Sequence, residues 1–124
     1  MAGKKILLVD DDLEILDILE KKLKQKNYDC IAVSDGKKAI RKCKLFNPDL
    51  IILDIVMPDI DGYTVANTLR EDKSLENTPI IFMSAKELEY SGVEKRLLEI
   101  GHCDFITKPC IFEDLLLKIE EKIG

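Results

Sequence analysis

The sequence has few of the residues on which metal and nucleophile chemistry often depends. Its 124 residues include a single histidine, His102, and four cysteines without a C-x-x-C pair. We therefore expect neither a structural zinc site nor a histidine-rich metal centre nor a Ser-His catalytic pair. We expect His102 to lie in a solvated turn after Gly101. We expect four free thiols that pack as small hydrophobic residues: Cys30, Cys43, Cys103 and Cys110.

Long hydrophobic runs, targeting segments and excess positive charge are also missing. No apolar run approaches the length that crosses a bilayer, and Met1–Lys5 does not resemble a signal peptide. We therefore expect a cytoplasmic protein that does not enter the membrane. The net charge of −5 disfavours nonspecific binding of nucleic acid, which requires basic surface. Because no linker, repeat or low-complexity tract is visible, we expect residues 1–124 to form one domain.

What the sequence does contain is an alternation of strand and helix patterns. The run Leu50–Asp54 has four consecutive aliphatic residues, which predicts a strand buried on both faces. Four shorter runs predict further strands, at Lys5–Val9, Cys30–Val33, Ile80–Met83 and Asp104–Ile106. Apolar residues at helical spacing predict five helices, around Leu13–Leu23, Ala39–Cys43, Val65–Leu69, Val93–Ile100 and Phe112–Ile123. This order predicts an α/β domain in which a parallel sheet lies between two layers of helices.

Polar residues follow four of the predicted strands. The group Asp10–Asp12 follows the first strand, Asp54 ends the third, Ser84 follows the fourth, and Lys108 lies in a predicted turn, Thr107–Pro109. In open α/β sheets, ligands bind outside the carboxyl ends of the strands. We therefore expect these side chains to share a pocket. Asp12 is also the predicted N-cap of the first helix.

The predicted pocket combines three carboxylates with a lysine and a hydroxyl. Two unit charges about 4 Å apart repel by roughly 4 kcal/mol at an effective dielectric near 20. Asp10, Asp11 and Asp54 would therefore not all stay ionised without a cation, and an oxygen-only site suits Mg²⁺. Lys108 and Ser84 add a positive charge and a hydrogen-bond donor. Such groups can hold a phosphoryl group while a carboxylate attacks it.

Four motifs in this order resemble the receiver domain of two-component response regulators. They are Val9–Asp12, Leu53–Pro58 with Gly62, Met83–Ala85, and Thr107–Pro109. The resemblance covers essentially the whole chain. It implies a three-layer, flavodoxin-like, doubly wound sheet of five parallel strands in the order 2-1-3-4-5.

The resemblance also implies a role for each pocket residue. Asp54 would be the phosphoacceptor that attacks the phosphohistidine of a partner. Asp10, Asp11 and Asp54 would bind Mg²⁺ together with the backbone carbonyl of Val56. Lys108 would pair with Asp54 before transfer and with the phosphoryl oxygens afterwards.

Further residues would act in switching. Ser84 would follow the phosphoryl group and draw its loop inward, although it can also be read as a helix cap. Phe105 matches the aromatic switch position, although a fixed core ring is the alternative. Val56 and Lys86 would flank the approach of water and tune self-hydrolysis. The Lys108–Pro109 bond would be cis.

The chain differs from the usual family pattern at two positions. Cys110 stands where the family usually has phenylalanine, and His102 where alanine is usual. These differences bear on the shape of helix 4 and its flanking loops, and not on the pocket. Asp59 and Asp61 are expected only to add polarity to the loop after Asp54.

The resemblance implies signalling rather than turnover. A sensor histidine kinase or phosphotransfer protein would donate the phosphoryl group and switch the face formed by helix 4, strand 5 and helix 5. A homodimer that forms on phosphorylation is a further expectation. The chain would catalyse only its own phosphorylation and slow dephosphorylation. No output domain follows Gly124, so we expect either a stand-alone regulator or the receiver part of a longer protein.

Three other functions fit the sequence less well. An aspartate-nucleophile phosphatase would carry its D-x-D motif after the first strand and would need a cap insertion, for which 124 residues leave no room. A flavin-binding module would need a neutral phosphate loop where Asp10–Asp12 would repel phosphate. A non-phosphorylated interaction module would be expected to lose pocket residues, and none is missing.

Overall fold

A computed structural model of the chain describes residues 3–85 and 92–124. Within these residues the chain forms five strands, five α-helices and a 3-10 helix. The strands are β1 (Lys5–Val9), β2 (Asp29–Val33), β3 (Leu50–Asp54), β4 (Ile80–Ala85) and β5 (Cys103–Lys108). The α-helices are α1 (Leu13–Gln25), α2 (Gly36–Phe46), α3 (Gly62–Arg70), α4 (Val93–Ile100) and α5 (Phe112–Ile123), and the 3-10 helix is Lys73–Leu75.

The strands form one sheet in the order β2-β1-β3-β4-β5, and all four neighbouring pairs are parallel. The predicted fold class and strand order are therefore confirmed. Successive strands that lie side by side in parallel must be joined by crossovers, and the helices provide them. As a result every strand reaches the same edge of the sheet with its carboxyl end.

The core consists of two hydrophobic layers, one on each face of the sheet. Ile51 and Leu53 of β3 belong to the layer that includes α2, α3 and the end of α4. Leu50 and Ile52 belong to the layer that includes α1 and α5. Because successive strand residues point to opposite faces, a strand covered on both sides must be apolar throughout. All of β3 is buried, which explains its run of aliphatic residues.

In the described part of the chain, aspartate side chains cap three of the α-helices. Asp12 accepts hydrogen bonds from the backbone N–H groups of Glu14 and Ile15 at the start of α1, as predicted. Asp35 accepts from Lys38 N–H in α2. Asp61 accepts from Thr64 N–H in α3, so the expectation that Asp61 only adds loop polarity was wrong. Its position before a glycine and an apolar helix is a capping signal that was available in the sequence.

Strands β4 and β5 are both longer than predicted. Ser84 pairs with Thr107 and Ala85 with Lys108, so the ladder continues to the end of both strands. The assignment of Thr107–Pro109 as a turn was wrong for its first two residues. Polar side chains hid this extension, because a strand that ends at a functional site no longer has the apolar pattern of its buried part.

The remaining expectations concern the cysteines, the histidine and the membrane. All four cysteines are free, with Cys30 and Cys43 buried and the other two half-buried. His102 is exposed and has a φ of 52°, which places it in a turn after Gly101 as predicted. Among residues 3–85 and 92–124, none of the helices has the length and apolar character that crossing a bilayer requires.

Candidate functional site

Four adjacent strand ends bring the predicted pocket residues to one edge of the sheet. Val9 of β1 pairs with Leu53 of β3, so the residues that follow them, Asp10 and Asp54, lie side by side. Asp54 pairs with Met83 of β4, which is followed by Ser84. Since β5 lies next to β4, its last residue, Lys108, reaches the same edge.

Three carboxylates form an acidic cluster at this edge. Asp10, Asp11 and Asp54 each place a carboxylate oxygen within 4.8 Å of the other two. Asp10 and Asp54 are buried, whereas Asp11 is exposed. Backbone N–H groups orient the two buried carboxylates: Asp12 N–H donates to Asp10 Oδ1 over 2.9 Å, and Val56 N–H donates to Asp54 Oδ1 over 3.3 Å.

Lys108 joins the two buried carboxylates. Its Nζ lies 2.6 Å from Asp10 Oδ2 and 3.3 Å from Asp54 Oδ2. The contact with Asp54 matches the predicted pairing. The shorter contact with Asp10 was not predicted, because the direction of a long flexible side chain depends on its neighbours in space. One ammonium group therefore balances part of the negative charge of two carboxylates.

Burial and charge shift the pKa values of Asp54 and Lys108. Burial raises the pKa of Asp54 to about 6, and the charge of Asp10 adds to this effect. The charge and hydrogen bond of Lys108, with the Val56 N–H, oppose it. Burial acts to lower the pKa of Lys108, but the hydrogen bond and charge of Asp10 and the charge of Asp54 outweigh burial and raise it. At neutral pH the site therefore holds a carboxylate and an ammonium side by side.

The donor set suits a hard divalent cation. It offers carboxylate oxygens from Asp10, Asp11 and Asp54, and Mg²⁺ prefers oxygen ligands and keeps several waters. The exposed position of Asp11 leaves room for such waters. Val56 follows Asp54 by two residues, its side chain is exposed, and its backbone N–H contacts Asp54 Oδ1.

Ser84 provides a buried hydroxyl at the same sheet edge. The residue is 1% exposed, and its Oγ has no hydrogen-bond partner among the residues that the structure describes. Buried polar groups without a partner are rare and costly in native proteins. This hydroxyl is therefore available to donate a hydrogen bond to a group bound at this edge of the sheet.

Gly62 allows the loop after Asp54 to close against β3. Its N–H donates to Ile55 O over 2.7 Å, and a Cβ at this position would lie 2.4 Å from the backbone oxygen of Asp54. Only glycine fits so close to another backbone. The glycine in the Leu53–Gly62 motif thus has a direct steric explanation.

Other sequence predictions have different outcomes. The Lys108–Pro109 peptide bond is cis, as predicted. Phe105 is half-buried on β5 and packs against the core layer that contains Phe82, and its role as a switch stays a prediction. Lys86 lies outside the described residues.

Asp59 has a set of contacts that sequence reasoning missed. Its Oδ1 accepts a hydrogen bond from Gly36 N–H over 3.1 Å, and its Oδ2 accepts one from Lys37 N–H over 3.0 Å. The expectation that Asp59 only adds loop polarity was therefore wrong. Its partners lie more than twenty positions away in the chain, and no local pattern signals a contact at that separation.

The comparisons with known proteins all indicate one family. The family model described as the response regulator receiver domain matches residues 6–120. The chain is 42% identical over 107 residues to the alkaline phosphatase synthesis transcriptional regulatory protein PhoP of Bacillus subtilis, a match that covers 86% of this chain and 43% of that protein. The chain spans about half the length of the curated relatives it matches.

Solved structures agree in fold over almost the whole chain. The chemotaxis protein CheY4 of Vibrio cholerae superposes with a TM-score of 0.91 at 25% identity, covering 98% of this chain and 99% of that one. The receiver domain of the sensor histidine kinase PA1611 from Pseudomonas aeruginosa has a TM-score of 0.86 at 30% identity, with 99% of both chains covered. That structure has a magnesium ion coordinated in its active site cleft.

Proposed function

Because the chain belongs to the response regulator receiver domain family of two-component systems, we propose that its Asp54 carboxylate is the phosphoacceptor. The observation that carries this proposal is the convergence of Asp10, Asp11 and Lys108 on Asp54. Burying a carboxylate beside two further carboxylates, with one lysine to balance them, costs stability, so this arrangement favours a functional role. It has the composition of a site that accepts phosphoryl groups.

The chemistry is an in-line displacement at phosphorus. A carboxylate oxygen of Asp54 attacks the phosphorus of a phosphohistidine or a small acyl phosphate. A new P–O bond forms as the bond to the imidazole nitrogen, or to the acyl oxygen, breaks. The donor departs with the electron pair of the broken bond, and Asp54 becomes an aspartyl phosphate. With a pKa of about 6, Asp54 is mostly ionised at neutral pH and is available as the nucleophile.

Each neighbouring residue has a part in this step. Lys108 holds the Asp54 carboxylate before transfer and would hold a phosphoryl oxygen after it. The Ser84 hydroxyl would donate its unused hydrogen bond to the phosphoryl group. Asp10, Asp11, Asp54 and the backbone carbonyl of Val56 would bind Mg²⁺, which when bound neutralises charge on the phosphoryl oxygens.

The switch that follows is electrostatic. A phosphoryl group adds about −1.5 to −2 charge at pH 7, and Ser84 and Lys108 are the groups on β4 and β5 that would respond to it. Their movement, with that of Phe105, would shift an existing equilibrium of the α4, β5 and α5 face. The chain would catalyse only its own phosphorylation and slow dephosphorylation, and it would turn over no external substrate.

The phosphodonor is proposed to be a sensor histidine kinase or phosphotransfer protein. A cleft of about 320 Å³ lies beside Lys108, lined by apolar residues that include Ile15, Ile18 and Pro109. Such a surface next to the acceptor suits the approach of a protein that carries the phosphoryl group. We further propose that the phosphorylated chain acts on an output domain or a target protein and that it can form a homodimer.

Labelling with a small phosphodonor tests the acceptor. The parent chain, incubated with acetyl phosphate and Mg²⁺, should gain the mass of one phosphoryl group in intact-protein mass spectrometry, and Asp54→Asn should gain none. Asp12→Asn is the matched control, since Asp12 is a neighbouring carboxylate whose side chain caps α1. It should be labelled at nearly the parent rate.

The same assay tests the partner when a phosphorylated sensor-kinase domain replaces acetyl phosphate. Transfer to the parent and none to Asp54→Asn is the expected result. Stoichiometric labelling of Asp54→Asn would refute the acceptor assignment. A parent chain that is not labelled by acetyl phosphate and Mg²⁺ would refute the proposed function as a whole.

A further inference from the structure

Asp59 connects the loop after Asp54 to the N-terminus of α2. The loop comprises residues 55–61, and Asp59 lies near its middle. The two Asp59 carboxylate oxygens accept hydrogen bonds from Gly36 N–H over 3.1 Å and Lys37 N–H over 3.0 Å. These donors belong to the first turn of a helix, where backbone N–H groups have no partner within the helix. One side chain thus bridges two elements that are distant in the chain.

The bridge is electrostatically favourable and tightly fitted. A carboxylate at a helix N-terminus interacts favourably with the partial positive charge there. The loop and α3 also approach α2 closely, because a Cβ on Gly36 would meet the side chain of Ile60 in the loop at 2.5 Å and that of Val65 in α3 at 2.8 Å. Glycine at the start of α2 therefore allows the loop to reach the position in which Asp59 bonds to it.

The same loop carries Val56, which lies at the acidic cluster. Val56 N–H donates to Asp54 Oδ1 over 3.3 Å. The start of the loop is fixed by Ile55, whose N–H donates to Met83 O over 3.1 Å and whose carbonyl accepts from Gly62 N–H over 2.7 Å. The Val56 side chain is 60% exposed, so its own packing does little to fix it. The buried side chains of Ile55 and Met57 hold the chain on either side of Val56, and the bonds of Asp59 hold the loop two residues beyond Met57.

We propose that Asp59 is a positioning residue for the phosphoryl-transfer site, acting through its bonds to Gly36 and Lys37 to fix the Val56 backbone beside Asp54. The inference rests on the proposed function, in which the Val56 carbonyl is a metal ligand. Residues that orient ligands without touching the metal have large effects, and their loss typically reduces metal affinity by about 10- to 100-fold.

The alternative explanation is that Asp59 only stabilises α2, and Asp35 provides the matched control. Asp35 Oδ1 accepts from Lys38 N–H over 2.8 Å in the same helical turn. Asp35→Ala therefore removes a cap from α2 and leaves the bridge to the loop in place. Both Asp59→Ala and Asp35→Ala should lower the unfolding temperature, and only the first should affect the site.

Two measurements separate the explanations. Calorimetric titration with MgCl₂ should show about tenfold weaker binding to Asp59→Ala than to the parent, and less than twofold weaker binding to Asp35→Ala. In the metal-free protein, hydrogen exchange at the Val56 amide should be several-fold faster in Asp59→Ala and unchanged in Asp35→Ala. Asp59→Glu keeps the carboxylate and should recover part of the Mg²⁺ affinity and part of the protection of the Val56 amide. Asp59→Asn keeps one acceptor oxygen and should lie between the parent and Asp59→Ala in both measurements.

Each result decides the inference. Parent-like Mg²⁺ affinity and parent-like Val56 exchange in Asp59→Ala and Asp59→Asn would overturn it. Equal effects of Asp35→Ala and Asp59→Ala would also overturn it, since general destabilisation of α2 would then explain both. A parent chain that binds no Mg²⁺ would overturn the proposed function and this inference with it, whereas a parent that binds Mg²⁺ with unaffected variants would overturn the inference alone.

Discussion

At the scale of single residues, the site departs from the usual rules for buried polar groups. Asp10 and Asp54 are buried beside each other and share one ammonium group, that of Lys108. Ser84 is buried with a hydroxyl that has no partner in the described part of the chain. Departures of this kind cost stability and are typical of functional positions. They also predict that some substitutions at the site will stabilise the unliganded protein.

Ser84→Ala should stabilise the metal-free, unphosphorylated protein. An unsatisfied buried hydroxyl costs roughly 1–3 kcal/mol, and alanine removes it with little loss of volume. We expect the free energy of unfolding in urea to rise by about 1 kcal/mol. The same variant should respond more weakly to phosphorylation, because the group that would follow the phosphoryl oxygen is gone.

The control for this prediction is Ser74→Ala. The Ser74 hydroxyl is exposed and donates to Asp72 Oδ1 over 2.8 Å, so its removal should leave stability unchanged or slightly lower. A clear loss of stability in Ser84→Ala would mean that its hydroxyl is satisfied in solution and would remove this support for its role.

At the scale of helices and strands, one arginine holds several elements together. Arg70, the last residue of α3, donates from Nη1 to Leu75 O and from Nη2 to Gly101 O, each over 2.7 Å. Its Nε donates to Ile100 O over 3.3 Å. The planar guanidinium therefore satisfies carbonyls at the end of the 3-10 helix and at the C-terminus of α4. Arg70, at the end of α3, thus holds the turn between α4 and β5 in place.

Arg70→Lys should destabilise the fold despite keeping the charge. A single ammonium cannot match the fork, which reaches the four carbonyls of Leu75, Ile100, Gly101 and His102. Each hydrogen bond from a charged donor contributes about 1.5–3 kcal/mol. We expect a loss of roughly 2 kcal/mol in urea unfolding. Arg41→Lys, on the exposed face of α2, is the control and should change stability by less than about 0.5 kcal/mol. Equal losses in the two variants would show that the Arg70 contacts contribute little.

At the scale of the whole molecule, a cluster of acidic residues lies where the strands end. The chain carries a net charge of −5, and three carboxylates lie together at one edge of the sheet. Lys108 balances only part of this charge, so the repulsion among the three carboxylates opposes folding when no metal ion is bound. A cation that binds this cluster only in the folded state must therefore stabilise the entire domain.

Mg²⁺ should raise the unfolding temperature of the chain. At ten times its dissociation constant, a ligand of the folded state adds about 1.4 kcal/mol, which corresponds to a shift of about 5 °C for a domain of this size. Scanning calorimetry in MgCl₂, against NaCl of equal ionic strength, measures the shift. Asp11→Asn should lose most of it, because Asp11 is an exposed member of the cluster. A parent-like shift in this variant would exclude Asp11 as a ligand.

The same scans test whether residues 1–124 are one domain. We propose that they are, so each scan should show a single transition whose van't Hoff and calorimetric enthalpies agree. Two separate transitions would contradict a single cooperative unit.

The sequence by itself determined the type and order of the helices and strands and the kinds of residues that lie at the site. The short apolar run Leu50–Asp54, followed by a loop with proline and glycine, predicts a strand covered on both faces. Periods of two and 3.6 residues are read from neighbouring positions alone. The polar residues after the strands were expected to lie near one another, because parallel strands end at one edge. These conclusions rest on local patterns and on a topological rule, and neither requires knowledge of distances.

Only the tertiary structure decided which atoms touch. The bond of Asp59 to the start of α2, the shorter contact of Lys108 with Asp10, and the reach of Arg70 to the end of α4 join residues that are far apart in the chain. Such contacts depend on how closely elements pack and on which rotamer a long side chain adopts. A local sequence pattern contains neither quantity. For the same reason β5 was extended to Lys108 by pairing with β4, although its polar end has no strand pattern of its own.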